Sequence, residues 1–326
     1  MTLQRMIWVF PDRESSRTGG KWNAAFWSTY QEVAKEAGLT WERTAPEAVT
    51  VDALDPGRVR VLVDGERVQP AETLFVTCPY TLPYQMADAF NQFTLYAVLE
   101  AAGFYLPHPP KYAAIFNDKL ATLLHLKDSP IPPIPTTRIT AGRDLLYDEF
   151  LSTIEHLPYP AFVKPAGWMA ARGINLARDS HDVRGLLSLA QGGDTTLVLQ
   201  PYLGAQTKDY RVYMIKGNPH GVMLRVPGDG AIYPQYTTGA KISYVELPEE
   251  LVPATAYLAE RVPIPYFCAD FLHDGERFWL SEIEPDGTIL CPDPTSADVV
   301  AMQWQLIRDR FSAYAEGHAA FLDGAR

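Results

Sequence analysis

Two glutamates, Glu282 and Glu284, interrupt the apolar run "LSEIEPDGT" from Leu280 to Thr288. Two residues apart on a strand, they project from the same face. Side by side they repel each other, and their neighbours are Trp279, Leu280, Ile283 and Pro285. A half-buried carboxylate pair needs a cation or a proton to neutralise it. A solvated strand face is the ordinary alternative for charges, but the apolar flanks favour a metal. Hard oxygen ligands of this kind suit Mg²⁺, which takes one or two carboxylates plus substrate phosphates. Asp270, inside "YFCADFL", is a candidate third ligand. Asp274-Gly275 marks a hairpin turn between the two runs. A two-residue turn there would set Asp270 opposite Trp279, facing away from the glutamates. An odd-length loop or a β-bulge would return it to their side.

Cations of matching character lie upstream. Lys164 in "AFVKPAGWMAARG" sits in an apolar strand just before a loop of small residues. It reads either as a snorkelling lysine or as a cation held over a nucleotide phosphate. In the second reading Gly167, Ala170, Ala171 and Gly173 let backbone N–H groups approach anionic oxygens, with Arg172 assisting. The loop is not the Walker pattern. Lys119 opens a helix that Asn117 or Asp118 can cap. Arg211 in "DYRVYMI" and Arg225 in "GVMLRV" interrupt neighbouring strands, as arginines that grip phosphate or carboxylate do. Salt bridges to acids such as Asp209 account for either arginine alone equally well. The seven histidines form no H-E-x-x-H pattern, and no G-x-S-x-G elbow or kinase signature occurs.

The elements that must position these groups follow from pattern. "RMIWVF" reads as a strand, "KWNAAFWSTYQEVAKEAG" as a helix stopped at Gly38, "VRVLVDG" and "ETLFVTC" as strands, and "MADAFNQFTLYAVLEAAG" as a helix. This alternation predicts a small α/β layer to about residue 105. The prolines at 130, 132, 133 and 135 mark a boundary. "FVKP" and "INLARD" pair around the small-residue loop, a helix covers "DVRGLLSLA", and three strands follow. Helices are expected over roughly 248–261 and 297–317. The 326 residues, 47% hydrophobic, suffice for two or three packed units. The net charge of −11 argues against nucleic acid and anionic membranes as partners. Three spaced cysteines (Cys78, Cys268, Cys291) give no metal or disulfide framework and fit a reducing, cytoplasmic setting. No apolar run spans a bilayer, and the first strand is not a secretion signal.

In order, "NDK", "FVKPAGWMAARG", "LVLQPYL", "DYRVYMIKG", "MLRV", "TTGAK" and "ADFLHDGERFWLSEIEPDG" resemble the ATP-grasp superfamily of carboxylate–amine ligases. The nearest branch resembles glutathione synthetase and the ribosomal-protein glutamate ligases, and the match runs from about residue 106 to the end. The resemblance implies an α/β ATP-grasp fold. Residues 1–105 would be a pre-ATP-grasp layer, 106–198 the central subdomain forming the nucleotide lid, and 199–326 the C-terminal subdomain with the metal site. Lys119 and Lys164 match the lysines on the nucleotide phosphates, and Gly167 to Gly173 the loop over the triphosphate. Gln200, Pro201, Tyr202 and Leu203 match the hinge that reads adenine, although the family often has glutamate at Gln200 or Pro201. Arg211 and Arg225 match arginines near the transferring phosphoryl group. Lys241, in "TTGAK", matches the polar loop before the last helix. Asp270, Glu282 and Glu284 match the ligands of Mg²⁺, taken as two ions, with glutamate at 284 where asparagine is usual.

The implied reaction is attack of a substrate carboxylate on ATP, then of an amine on the acyl phosphate, giving an amide, ADP and phosphate. Positioning and charge stabilisation dominate such chemistry. Small-molecule or peptide acids and amines are the implied partners, and a homodimer is expected from the family. Arg13, Arg17 and Lys21 in "PDRESSRTGGKWN" could bind the acid, although a solvated loop is the plainer reading; aromatics between 80 and 96 could shape a pocket or simply fill a core. A phosphotransferase acting on a hydroxyl, and a nucleotide-binding module without catalysis, are the alternatives.

Overall fold

The computed structural model describes residues 3–10, 20–55, 57–77, 88–139, 148–168, 171–193, 195–234 and 239–324. The first unit holds β1 (Arg5–Val9), α1 (Gly20–Glu36), β2 (Thr40–Thr44), β3 (Val49–Asp52), β4 (Arg60–Val63), β5 (Glu66–Val68), β6 (Thr73–Val76) and α2 (Asp88–Ala101). β2, β1 and β6 form a parallel sheet in that order, and β3, β4 and β5 an antiparallel one. Met6, Ile7, Trp8 and Val9 are all buried. That is why β1 reads as an unbroken apolar run: a parallel strand is covered on both faces.

Next come α3 (Pro110–Asn117), α4 (Lys119–His125), β7 (Thr137–Ile139), α5 (Asp148–Glu155), β8 (Ala161–Pro165), β9 (Asn175–Ala177), α6 (Ser180–Gly192) and β10 (Leu197–Pro201). The strands make a four-stranded sheet, β7-β10-β8-β9. β10 lies wholly in it, so the change of sheet falls after Pro201, and the expected boundary at 198 cuts through a strand. β8 and β9 pair antiparallel around the small-residue loop, as its sequence implied. Val163, Leu187 and Leu199 anchor the core behind this sheet, against α5 and α6.

The rest builds β11 (Lys208–Ile215), β12 (Asn218–Val226), β13 (Lys241–Val245), α7 (Val252–Arg261), β14 (Tyr266–His273), β15 (Phe278–Glu284) and α8 (Ala297–Gly324). The strands form an antiparallel sheet, β13-β12-β11-β14-β15. One face, with Val212, Phe267, Phe271, Leu280 and Ile283, packs on α4 and α7. The other face changes character along its length. Tyr213, Ile215, Met223 and Cys268 join a core with Trp8, Trp41 and the buried side of α8. Further along, the same face turns charged. α8 runs to Gly324, seven residues beyond the sequence expectation, because His318 is still buried there, bonded to the Pro70 carbonyl. No helix among the described residues is long and apolar enough to cross a membrane.

Candidate active site

The charged end of the five-stranded sheet is built by strand parity. On β11, Asp209 and Arg211 alternate onto the face that carries Tyr213. Arg211 stands opposite Asp270 on β14, and Asp209 opposite Arg225 on β12. The hairpin from β14 to β15 decides the rest. Its connection has four residues, not two: His273 pairs with Phe278 and Leu272 with Trp279. Asp274 shapes it, its Oδ1 accepting from the amides of Glu276 and Arg277 and its Oδ2 from Trp279 Nε1. An even connection would leave Asp270 opposite Ser281. A bulge between Asp270 and Phe271 moves its partner to Glu282. The extra residue reverses the alternation, so Phe278, Leu280 and Ile283 all reach the core while Glu282 and Glu284 turn to the site. Carboxylate oxygens of Asp270, Glu282 and Glu284 consequently lie within 4.8 Å of one another.

Arginines neutralise this cluster from below. Arg211, 4% exposed, grips Asp270 with Nε to Oδ1 at 2.8 Å and Nη2 to Oδ2 at 2.7 Å. Its Nη2 also lies 2.6 Å from Glu284 Oε2. Arg225 Nη2 bridges Asp209 Oδ2 at 2.7 Å and Asp270 Oδ2 at 2.9 Å. Burial alone would push the Asp270 carboxyl up, but Arg211 and Arg225 overcome it and hold the group below the usual carboxylate range. Glu284 goes the other way, up to about 7, because desolvation and the nearby acids outweigh Arg211. Asp209 rises to about 6, again through burial, only partly offset by Arg225. Carboxylates short of positive charge and converging on one point fit a hard divalent cation.

One lysine enters from the four-stranded sheet, the other from α4, which packs on the five-stranded sheet. Lys164, on β8 opposite Val198, is pulled down to about 8 by desolvation, against the attraction of Glu282. It is a cation short of anionic partners. Asp118 caps α4 by accepting from Ala121 N at 3.0 Å, which sets Lys119 in the first turn. Lys119 Nζ donates to the Trp168 carbonyl at 3.0 Å and sits 3.9 Å from Glu282 Oε2. One lysine thus ties the root of the small-residue loop to the acidic cluster. In that loop, Ala171 and Gly173 have φ of +53° and +72°. A Cβ at Gly173 would stand 2.8 Å from Pro165 Cγ, so only glycine fits. Gly167 packs against Asn117, and Arg172 is half-buried with no ion pair among the described residues.

Other expected positions stand differently. The Gln200 side chain is buried and donates to Thr136 Oγ1 at 2.9 Å. Pro201 pairs with Ala161, and the Tyr202 amide donates to the Pro160 carbonyl, so that N–H is already bonded within the chain. Leu203 follows, partly buried against the core of the larger sheet. Lys241 is exposed at the start of edge strand β13, opposite Val226, one step from Arg225 and outside the ion cluster. Ala170, Arg13, Arg17, the Lys21 side chain, Cys78 and Thr237–Thr238 of "TTGAK" lie outside the described residues.

Two groups belong here beyond the expected set. Asp209, read in the sequence only as a salt-bridge partner of the arginines, does pair with Arg225 and belongs to the site as much as Arg211 does. The second acid of "EPDG", Asp286, is buried and ion-paired with Arg310 of α8. It also accepts from Trp8 Nε1 at 3.3 Å, and Arg310 bonds Tyr30 and Tyr314. This knot fixes the end of β15 to the N-terminal sheet. Nothing local in the sequence signals it.

The chain has the ATP-grasp fold, an α/β fold of several sheets. D-alanine–D-alanine ligase from Bacillus anthracis, solved with ATP, superposes with a TM-score of 0.63 at 13% identity, covering 99% of this chain and 100% of that one. A RimK-domain ATP-grasp protein from Sphaerobacter thermophilus gives 0.60 at 14% identity, covering 94% and 98%. In sequence, beta-citrylglutamate synthase B of Danio rerio is 28% identical over 160 residues, 48% of this chain and 38% of that protein. The chain spans less than two thirds of the length of the curated relatives it matches. No family model matches the sequence.

Proposed function

We propose that this protein is an ATP-dependent carboxylate–amine ligase, forming an amide through an acyl phosphate and releasing ADP and phosphate. The observation that carries the reading is the bulge-made convergence of Asp270, Glu282 and Glu284 beside Arg211, Arg225 and Lys164. Ligases among the similar proteins, including one solved with ATP, support it. Charge balance supports it further. Four carboxylates (Asp209, Asp270, Glu282, Glu284) face four cations (Lys119, Lys164, Arg211, Arg225), so the site is formally neutral. A triphosphate brings about four negative charges, which two Mg²⁺ ions match.

Glu282, Glu284 and Asp270 would hold those ions, which would polarise the γ-phosphoryl group and screen its charge. Lys164 would take phosphate oxygens, giving its half-buried ammonium a contact ion pair that it has with no described acid. Lys119, already at the root of the loop, would lock the loop as it folds over the triphosphate. Gly167, Ala170, Ala171 and Gly173 would offer backbone amides there. Gln200 to Leu203 would border the adenine. Arg211 and Arg225 would stabilise charge spreading onto the transferring phosphoryl oxygens, since Arg225 keeps a buried Nε without a partner. Lys241 would close the site from its edge strand. The chain offers little covalent chemistry, so rate would come from positioning.

The test is ADP and phosphate release from Mg-ATP across libraries of acids and amines. Release that requires both an acid and an amine, with amide found by mass spectrometry, is the expected result. Phosphorylation of a hydroxyl compound with no amine requirement would replace the ligase reading by a phosphotransferase.

A further inference from the structure

Away from the acidic cluster, one arginine is held in place without a counter-charge among the described residues. Arg43 lies near the end of β2, opposite Trp8 on β1. Alternation puts it on the sheet face of Trp41, Trp8 and Phe10. Its guanidinium carbon is 5.5 Å from the Phe10 ring centre and 5.6 Å from that of Trp27. Two aromatic faces therefore position the charge. Yet Arg43 Nη1 is buried with no hydrogen-bond partner, and among the described residues no acid pairs with it. Trp41 Nε1 is buried and unpartnered as well. The two donors share a neighbour, because Trp27 stacks on Trp41 with ring centres 5.3 Å apart.

The contrast with the arginines of the acidic cluster and of α8 is plain. Arg211, Arg225 and Arg310 each have a carboxylate in contact. Leaving a buried donor unmet costs stability, and more when it is charged. Two such donors beside one indole, with no acceptor among the described residues, describe half of an anion site. Its place fits a ligand. β1 and β2 are parallel, and open parallel sheets take ligands at the carboxyl ends of their strands. The same face looks toward the reaction site, since Trp8 Nε1 reaches Asp286, two residues beyond Glu284.

We propose that Arg43, with Trp41, binds a second carboxylate of the acid substrate, remote from the one that is activated, so that the acid is a di- or tricarboxylate. The proposal rests on the ligase reading and narrows its substrate class. A guanidinium edge matches a planar carboxylate, and the flanking rings exclude water from the contact.

The experiment is calorimetric titration of the full chain, preloaded with Mg²⁺ and a non-hydrolysable ATP analogue. The acids are succinate, glutarate, L-glutamate and citrate, against butyrate and L-alanine. At least one polycarboxylate should bind tenfold or more tighter than the monocarboxylates. Arg43→Met should remove that preference, raising the polycarboxylate Kd at least tenfold, while the ATP analogue binds within twofold of wild type. Trp41→Phe keeps the stacked ring and loses only the donor; it should weaken the same acid threefold or more. Wild-type protein that binds the nucleotide but shows no preference for polycarboxylates overturns the proposal alone. So does a preference untouched by both variants. Loss of nucleotide binding in wild type would sink the ligase reading and this proposal with it.

Discussion

Lys164 gives the sharpest test of the site, because its structural cost and its proposed use have opposite signs. Its ammonium is drawn from 10.5 down to about 8, chiefly by desolvation, with Glu282 only partly restoring it. At about 1.4 kcal/mol per tenfold change in proton affinity, holding that charge costs the folded protein up to about 3 kcal/mol. The side chain is only half-buried, so screening trims the figure to roughly 2 kcal/mol. The lysine is charged in both folded and unfolded chains below pH 8, so the whole cost is present at neutral pH. Between about 8 and 10.5 the unfolded chain binds more protons than the folded one, and the cost fades as pH rises. Lys164→Met should therefore stabilise the nucleotide-free protein by roughly 2 kcal/mol at pH 7, and by little at pH 10.5.

The same variant should lose the ligand. Wild type should gain stability from a Mg-ATP analogue by mass action, about 2.7 kcal/mol at a hundredfold excess over Kd. The variant should gain almost none. Urea unfolding with and without analogue reads both quantities. A variant that is less stable than wild type without nucleotide would show that Lys164 is a satisfied structural cation. A variant still stabilised by the analogue would remove it from the phosphate site.

Four further outcomes follow from the geometry. Glu282→Gln should weaken Mn²⁺ binding, followed by electron paramagnetic resonance with ADP present, by tenfold or more, with little change in stability because its ion pair to Lys119 is long, at 3.9 Å. Arg211→Met strips Asp270 of two of its charge-assisted bonds in a buried setting and should cost about 3–5 kcal/mol in urea unfolding; a loss below 1 kcal/mol would mean the cluster is solvated. Gly173→Ala forces a Cβ against Pro165 at a positive φ, so ATP-analogue affinity should fall several-fold by calorimetry while the five-stranded sheet keeps its hydrogen-exchange protection. His108, buried and pulled down to about 4 by desolvation, stays neutral in the fold while the unfolded chain protonates near 6.5, so its stability contribution is full above pH 6.5 and is lost as pH falls toward 4; the stability difference between wild type and His108→Gln should shift by about 3 kcal/mol across that window.

The residue types that carry the site were legible because apolar strands advertise any charge set among them. Glu282, Glu284, Asp270, Lys164, Arg211 and Arg225 all stand out against buried neighbours, and each strand bearing them was identifiable. Which face each one takes was not legible, because parity is a property of the register. Asp270 depends on one extra residue near Ser281, and a bulge leaves no residue-type mark. The four-residue turn held by Asp274 was hidden for a similar reason: "DG" names a turn without fixing its length. Short strands such as β5, β7 and β9 carry too few residues for a period to show. Longer-range partners such as Arg310 and Asp286 meet only through the packing of α8.

That last contact explains how a site split between three sheets can hold its geometry. Glu284 closes β15, and the chain then passes through Pro285 to Asp286, which Arg310 and Trp8 hold from two other elements. Cys268, beneath Glu284, fills the space where Gly287 has no side chain, and Tyr266 OH donates to the Gly287 carbonyl at 2.5 Å. The acidic cluster is thus anchored at its end by buried polar bonds, while Lys164 approaches from a sheet joined to it by the stretch from Pro201 to Lys208. Acids on one sheet and Lys164 on another suit a nucleotide that must enter between them. The N-terminal sheet, tied to the end of β15 through Trp8, would then carry Arg43 as a fixed reference for the acid.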